Sequence, residues 1–193
     1  MLRKVTFLLA LAISASAGAE GFNYTYASLG YGATDFDVID ADGDGFIADG
    51  SFAFNRNFHG FAGVALASLE ADALPGDVDA TRLSVGIGYN RGLSDTVDLV
   101  ARLSYEELDF DVPGPGGDDS GYGLGVGVRF MASDMFELNG GIKRVDYSDF
   151  GDDTAFEIGG LYSFNDDWSI GLAGEFSDDV SLYKLSGRFY FGR

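Results

Sequence analysis

Gly121-Tyr122-Gly123-Leu124-Gly125-Val126-Gly127-Val128-Arg129-Phe130 carries the plainest structural signal in the chain. Every second residue is large and apolar, and the residues between are glycine until Arg129. Successive side chains of a β-strand point to opposite faces, so this strand has one oily face and one nearly bare face. A helical period cannot produce that pattern. A bare inner face suits a narrow barrel, whose interior must be filled by small side chains without crowding.

On either side of this stretch the same period of two recurs. Leu83, Val85, Ile87 and Tyr89 alternate with Arg82, Ser84, Gly86, Gly88 and Asn90. Val97, Leu99, Ala101, Leu103 and Tyr105 alternate with Asp98, Val100, Arg102, Ser104 and Glu106. The pattern predicts strands at roughly 22–31, 46–55, 58–69, 81–91, 96–107, 120–131, 135–146, 154–164, 168–177 and 181–191. The phase is ambiguous in the first and third, and it blurs near Arg144 in the seventh. Short polar turns such as 55–57, 92–95, 132–134 and 165–167 alternate with the longer links 32–45, 70–80, 108–119, 147–153 and 178–180. The expected class is all-β: an antiparallel up-and-down transmembrane β-barrel of ten strands, with eight as the alternative.

Composition narrows the field. The chain has 193 residues, 31 acids, 12 bases, 29 glycines and no cysteine. That excludes a disulfide framework and a thiolate metal site. A net charge of −19 argues against nucleic acid as a partner. Arg3 and Lys4, the apolar run Val5 to Ile13 and the small residues Ala17-Gly18-Ala19 read as a signal peptide over 1–19, leaving 20–193 as the barrel. The apolar run is far shorter than the roughly 20 residues a spanning helix needs. The expected destination is the cell outer membrane.

Orientation follows from the small residues and the aromatics. A water-facing surface has no need of so much Gly, Ala and Ser, whereas a narrow lumen does. Aromatics gather near strand ends, including Phe22, Tyr24, Phe58, Tyr89, Phe136 and Trp168 at the turn end. Tyr31, Phe46, Tyr105, Phe110, Tyr122, Tyr147 and Tyr183 gather at the loop end. They read as two interfacial girdles. The inward face then carries six bases, Arg82, Arg102, Arg129, Lys143, Lys184 and Arg188. It carries six acids, Asp49, Asp98, Glu106, Glu137, Glu157 and Glu175. A matched set predicts a salt-bridged, filled lumen, with an ion path as the alternative.

The longer links and their edges hold twenty acids and no Lys or Arg. Such a rim concentrates cations. Asp40-Ala41-Asp42-Gly43-Asp44-Gly45 matches the opening of a calcium loop, giving Asp40, Asp42 and Asp44 as a weak candidate metal set. The twelfth position is Ser51, where a bidentate Glu would be required. The expectation is therefore no cofactor beyond loosely bound Ca²⁺ or Mg²⁺, which would bridge the rim to lipopolysaccharide phosphates. The single histidine, His59, lies by a short turn, and Ser120 and Ser148 at the rim have no histidine beside them. No catalytic triad can be built, so an enzyme is not expected.

The signal, the alternating strands, the girdles and the final strand Leu182 to Phe191 together resemble the small outer-membrane β-barrels of Gram-negative bacteria, of the OmpA/OmpX transmembrane kind. Asn57-Phe58-His59, Val85-Gly86-Ile87-Gly88-Tyr89-Asn90 and Asp98-Leu99-Val100-Ala101-Arg102 are also similar to ten-stranded porin-like barrels. The resemblance implies insertion in the outer membrane. Members of the family differ in activity, so the fold does not fix function. The acidic loops lead to the expectation of a structural or surface-interaction role in the envelope, with a narrow cation-preferring passive channel as the alternative. Outer-membrane lipid and lipopolysaccharide are the expected partners. The family commonly ends on an aromatic residue; here Gly192 and Arg193 follow Phe191.

Overall fold

A computed structural model of the chain describes residues 21–36, 41–71, 78–111, 117–178 and 180–191. The expected signal peptide and Asp40 lie outside the described residues. Ten strands form: β1 (Tyr26–Phe36), β2 (Ala41–Ala53), β3 (Phe58–Ala71), β4 (Val78–Ser94), β5 (Val97–Asp111), β6 (Gly117–Ser133), β7 (Phe136–Tyr147), β8 (Gly151–Ser163), β9 (Trp168–Phe176) and β10 (Val180–Tyr190). Each pairs antiparallel with its neighbour in sequence, and β1 pairs with β10 from Tyr26↔Tyr190 to Phe36↔Val180. The ring is therefore closed at ten strands, and no sheet edge is left to face lipid.

Turn chemistry sets the short end. The Asn55 side chain accepts from the backbone N–H of Asn57 and Phe58, and Asn165 does the same for Asp167 and Trp168. These side chains supply what a tight turn lacks in backbone partners. At the other short turns the register slips between Gly92 and Ser94 and between Met131 and Ser133, which is a bulge at each strand end. At the opposite end, Gly151 adopts φ +83° to lead the 148–150 turn into β8, a conformation that favours glycine.

The faces sort as a membrane barrel requires. Tyr122 is 70% exposed, Leu172 67% and Leu124 66%, all on the outside. A continuous apolar outer wall of this kind is stable only against lipid. Inside, Gly123 and Gly125 give room to Ser104, Glu106, Arg102 and Lys143 on the flanking strands, and Gly121 and Gly127 let the backbone of β7 come close. The two ambiguous strands also resolve. β1 sends Leu29 and Tyr31 outward and buries Ser28, and β3 sends Leu66 outward while burying His59 and Leu69.

Four expectations need correction. The first strand begins at Tyr26 and not near 22, because Phe22 to Thr25 turn into the mouth of the barrel. Tyr24 is not a girdle residue: it is 6% exposed, inside the lumen. Phe110 and Tyr147 share the inward phase of β5 and β7. Last, strands run well into the stretches read as links, so most described rim acids stand on paired backbone.

Candidate functional site

The lumen is built in two storeys. The outer one is a network of opposite charges centred on Glu106, which has no exposed surface. Its Oε1 accepts from Ser104 Oγ at 2.6 Å and pairs with Lys143 Nζ at 2.9 Å. Arg82 Nε lies 3.6 Å from Glu106 Oε2, while its NH1 donates to Glu175 Oε1 at 2.8 Å. β4 and β9 stand five places apart in a ring of ten, so the Arg82–Glu175 pair crosses from one wall to the opposite one. Lys184 Nζ donates to Asp49 Oδ2 at 3.0 Å, reaching over β1.

The inner storey, by the short turns, is held by rings. Tyr24 stacks on His59 with centroids 4.6 Å apart. The Arg129 guanidinium lies 4.5 Å from the Tyr24 centroid and 4.8 Å from that of Phe22. Its Nε and NH2 donate to the two oxygens of Glu137 at 2.7 and 2.8 Å, a bidentate pair. Tyr24 OH donates to Asp98 Oδ2 at 2.9 Å. His59 Nδ1 lies 3.3 Å from Asn90 Oδ1, and Asn90 Nδ2 donates to the Arg56 carbonyl at 2.9 Å. Gly88 sits directly across from His59, and a Cβ there would stand 2.1 Å from His59 Nε2. That glycine makes room for the ring.

A cavity of about 330 Å³ lines the lumen between these groups. The expected balance of six bases and six acids is not a set of six pairs. Asp49, Arg82, Glu106, Arg129, Glu137, Lys143, Glu175 and Lys184 form ion pairs. Asp98 is bonded to Tyr24 instead. Arg102 lies over Phe61 at 5.4 Å, and Arg188 over Tyr26 at 3.9 Å. Neither guanidinium has a carboxylate partner among the described residues, and Glu157, which faces Glu175 across β8 and β9, has no basic partner among them. Sequence reasoning missed Tyr24, His59 and Asn90. The inward phase of Asn90 was visible in β4, but nothing showed that Tyr24 leaves the ladder.

The candidate calcium loop has another shape. Asp42 and Asp44 lie on extended β2, exposed, and Asp44 accepts from Tyr31 OH. A calcium loop must wrap its oxygens around the ion, and a straight strand cannot. Among the described residues no group of three or more acids or histidines is arranged to hold a metal. The acids form a belt of cross-strand neighbours instead: Asp35↔Asp42↔Glu70, Asp79↔Asp111, Asp109↔Asp118 and Asp146↔Asp152. Like charges directly opposite destabilise a ladder. Arg144 relieves one place by pairing with Asp152 at 2.8 Å. Asp119 is different, since it faces inward at the loop end. Burial acts to raise its pKa, but the backbone N–H groups of Asp149, Phe150 and Ser120 outweigh this and hold the carboxyl below its ordinary range.

Comparison with known proteins agrees with this architecture. The beta domain of the Bordetella autotransporter BrkA superposes with a TM-score of 0.51 at 11% identity, covering 88% of this chain and 100% of that one. The translocator domain of the autotransporter NalP from Neisseria meningitidis gives 0.50 at 11% identity, covering 89% of each chain. OprG from Pseudomonas aeruginosa gives 0.48 at 13% identity, covering 89% of this chain and 98% of that one. No curated protein matches the sequence. The family model described as "outer membrane protein beta-barrel domain" matches residues 5–176. With a closed ring, an oily outer wall and a polar, bridged lumen already established, the chain belongs to the outer membrane protein β-barrel family and is an outer-membrane barrel.

Proposed function

We propose that the protein is a non-enzymatic barrel, exported by the signal peptide over 1–19, that acts at the outer surface of the envelope and not as an open pore. The observation that carries this is the Arg82–Glu175 bridge between opposite walls, with Glu106 and Lys143 closing the same level. Below it, the Tyr24–His59 stack and the Arg129–Glu137 pair fill the inner mouth. Separating such buried pairs to pass a hydrated ion would leave uncompensated charge in a low-dielectric wall. Reconstituted in planar bilayers, the protein is expected to show no stable conductance steps, and steady steps would overturn the reading.

The acid belt supplies the surface role. Its cross-strand carboxylates stand outward above the oily wall, where lipopolysaccharide phosphates lie. Two layers of negative charge adhere only through cations, and Ca²⁺ and Mg²⁺ favour carboxylate and phosphate oxygens. Calorimetric titration of the detergent-solubilised protein should show heat for millimolar Ca²⁺ or Mg²⁺; its absence would remove this part. The same belt favours a second reading, a narrow cation-preferring channel, which bilayer recording separates from the first.

A further inference from the structure

Among the described residues, two bases stand outside the lumen at the turn end, Arg56 and Arg91, and they share one section of the rim. Arg56 lies in the turn between β2 and β3. That turn is stitched to β4 one residue before Arg91. The backbone N–H of Asn90 donates to the Asn57 carbonyl at 2.8 Å, and Asn57 Nδ2 donates to the Asn90 carbonyl at 2.9 Å. Asn90 Nδ2 in turn donates to the Arg56 carbonyl. Asn90 is buried, so Arg91 takes the opposite phase and faces outward, in line with Tyr89. Both arginines are exposed, and neither forms an ion pair among the described residues.

The rest of the short end has the opposite sign. The other three short turns carry Asp95, Asp134, Asp166 and Asp167 and no base. Just inside the arginines are rings. Phe58 and Tyr89 pair across β3 and β4 with centroids 5.2 Å apart. Phe54 lies over Gly60, one outward place deeper on β3, where a Cβ would stand 2.9 Å from its ring. Deeper still, Ala27, Gly50 and Ala62 stand side by side on the outer faces of β1, β2 and β3, so the oily wall is shallow there. Interfacial rings mark the level of lipid headgroups. An arginine just beyond them rests its stem on apolar surface and holds its guanidinium among the phosphates.

We propose that Arg56 and Arg91 bind the phosphate of an anionic phospholipid in the leaflet at the turn end, with an acyl chain lying along the shallow wall above Phe54. Unpaired guanidinium groups donate to phosphate oxygens in a planar fork, and both of these are open to the surroundings. The oily wall selects a lipid over a soluble phosphate. Its buried chains hold the headgroup at this height, so the contact forms at a high effective concentration. The aspartates on the other turns repel the same headgroup, which confines it to this section of the rim. The site uses neither the lumen nor the acid belt, and it stands whether or not the barrel conducts.

The test is native mass spectrometry of the refolded protein from micelles holding equal amounts of phosphatidylglycerol and phosphatidylcholine with the same acyl chains. EDTA is present to remove cations that would bridge lipid to the acids of the other end. Heat-modifiable gel mobility checks that each variant is folded. Retention of phosphatidylglycerol in preference to phosphatidylcholine is expected. Arg56→Gln and Arg91→Gln should each lower that preference roughly fivefold. The double variant should abolish it, and Arg144→Gln, at the loop end, should leave it unchanged. Excess free glycerol phosphate should not displace the lipid; displacement would assign the pair to a soluble phosphate and overturn the proposal. Equal retention of the two lipids by the unaltered protein, or an undiminished preference in the folded double variant, would overturn it as well.

Discussion

The two storeys of the lumen satisfy buried charge in different ways. In the outer one, carboxylates meet cations directly, and Glu106 serves both Arg82 and Lys143. In the inner one, rings take part of that load. Arg129 lies against Phe22 and Tyr24, and Arg188 rests on Tyr26. A network built on one shared carboxylate concentrates its dependence, whereas stacked rings spread it over shape and fit.

The sharpest break follows from that sharing. Glu106→Ala strands Lys143 and leaves Arg82 with Glu175 alone, and should cost about 3–5 kcal/mol, read as a fall in the urea midpoint of the folded barrel in micelles. The inner storey should yield instead to a change of shape. Gly88→Ala forces a Cβ against the His59 ring and should cost about 1–3 kcal/mol without altering any charge. An equal loss from both changes, with the same salt dependence, would erase the distinction between the storeys.

Smaller effects lie outside the membrane. Asp119 has a folded pKa below its ordinary value of 3.8. Its contribution is therefore complete above that value and is lost as pH falls through the lower folded one. The amides of Asp149 and Phe150 should exchange faster once the pH drops below that folded value, and in Asp119→Ala, which removes the acceptor, they should exchange fast at every pH. Smallest of all is Arg144→Ala. Its pair with Asp152 is exposed on both sides and should change stability by less than about 1 kcal/mol, read from the same urea midpoint.

Much of the fold was legible because lipid imposes a strict rule on every second residue. Tyr122 to Phe130 could be read on sight; ten strands were expected with eight left open, and the closed ring decides for ten. Strand ends were not legible, since the oily signal stops at the membrane surface while the backbone ladder continues. Asp42, Asp44 and Asp79 are poor strand formers by type, yet pairing with neighbours holds them extended. At the site, alternation gave the inward charges but not their partners. The Arg82–Glu175 bridge depends on which walls face each other, which is a property of the closed ring. Tyr24 was hidden for another reason: the phase of the first strand was ambiguous, and only with Leu29 and Tyr31 outward and Ser28 inward does Tyr24 fall on the lumen side.

The length of β4 and β6 has a consequence at the cell surface. Each has 17 residues. At about 3.3 Å per residue and a tilt near 40°, such a strand climbs roughly 43 Å, against an apolar band of about 25 Å. The wall thus stands proud of the bilayer like a parapet. With the acid-bearing end outward, as proposed, whatever approaches the bacterium there first touches hydrogen-bonded masonry faced with carboxylates, whose contours a mutation cannot easily redraw.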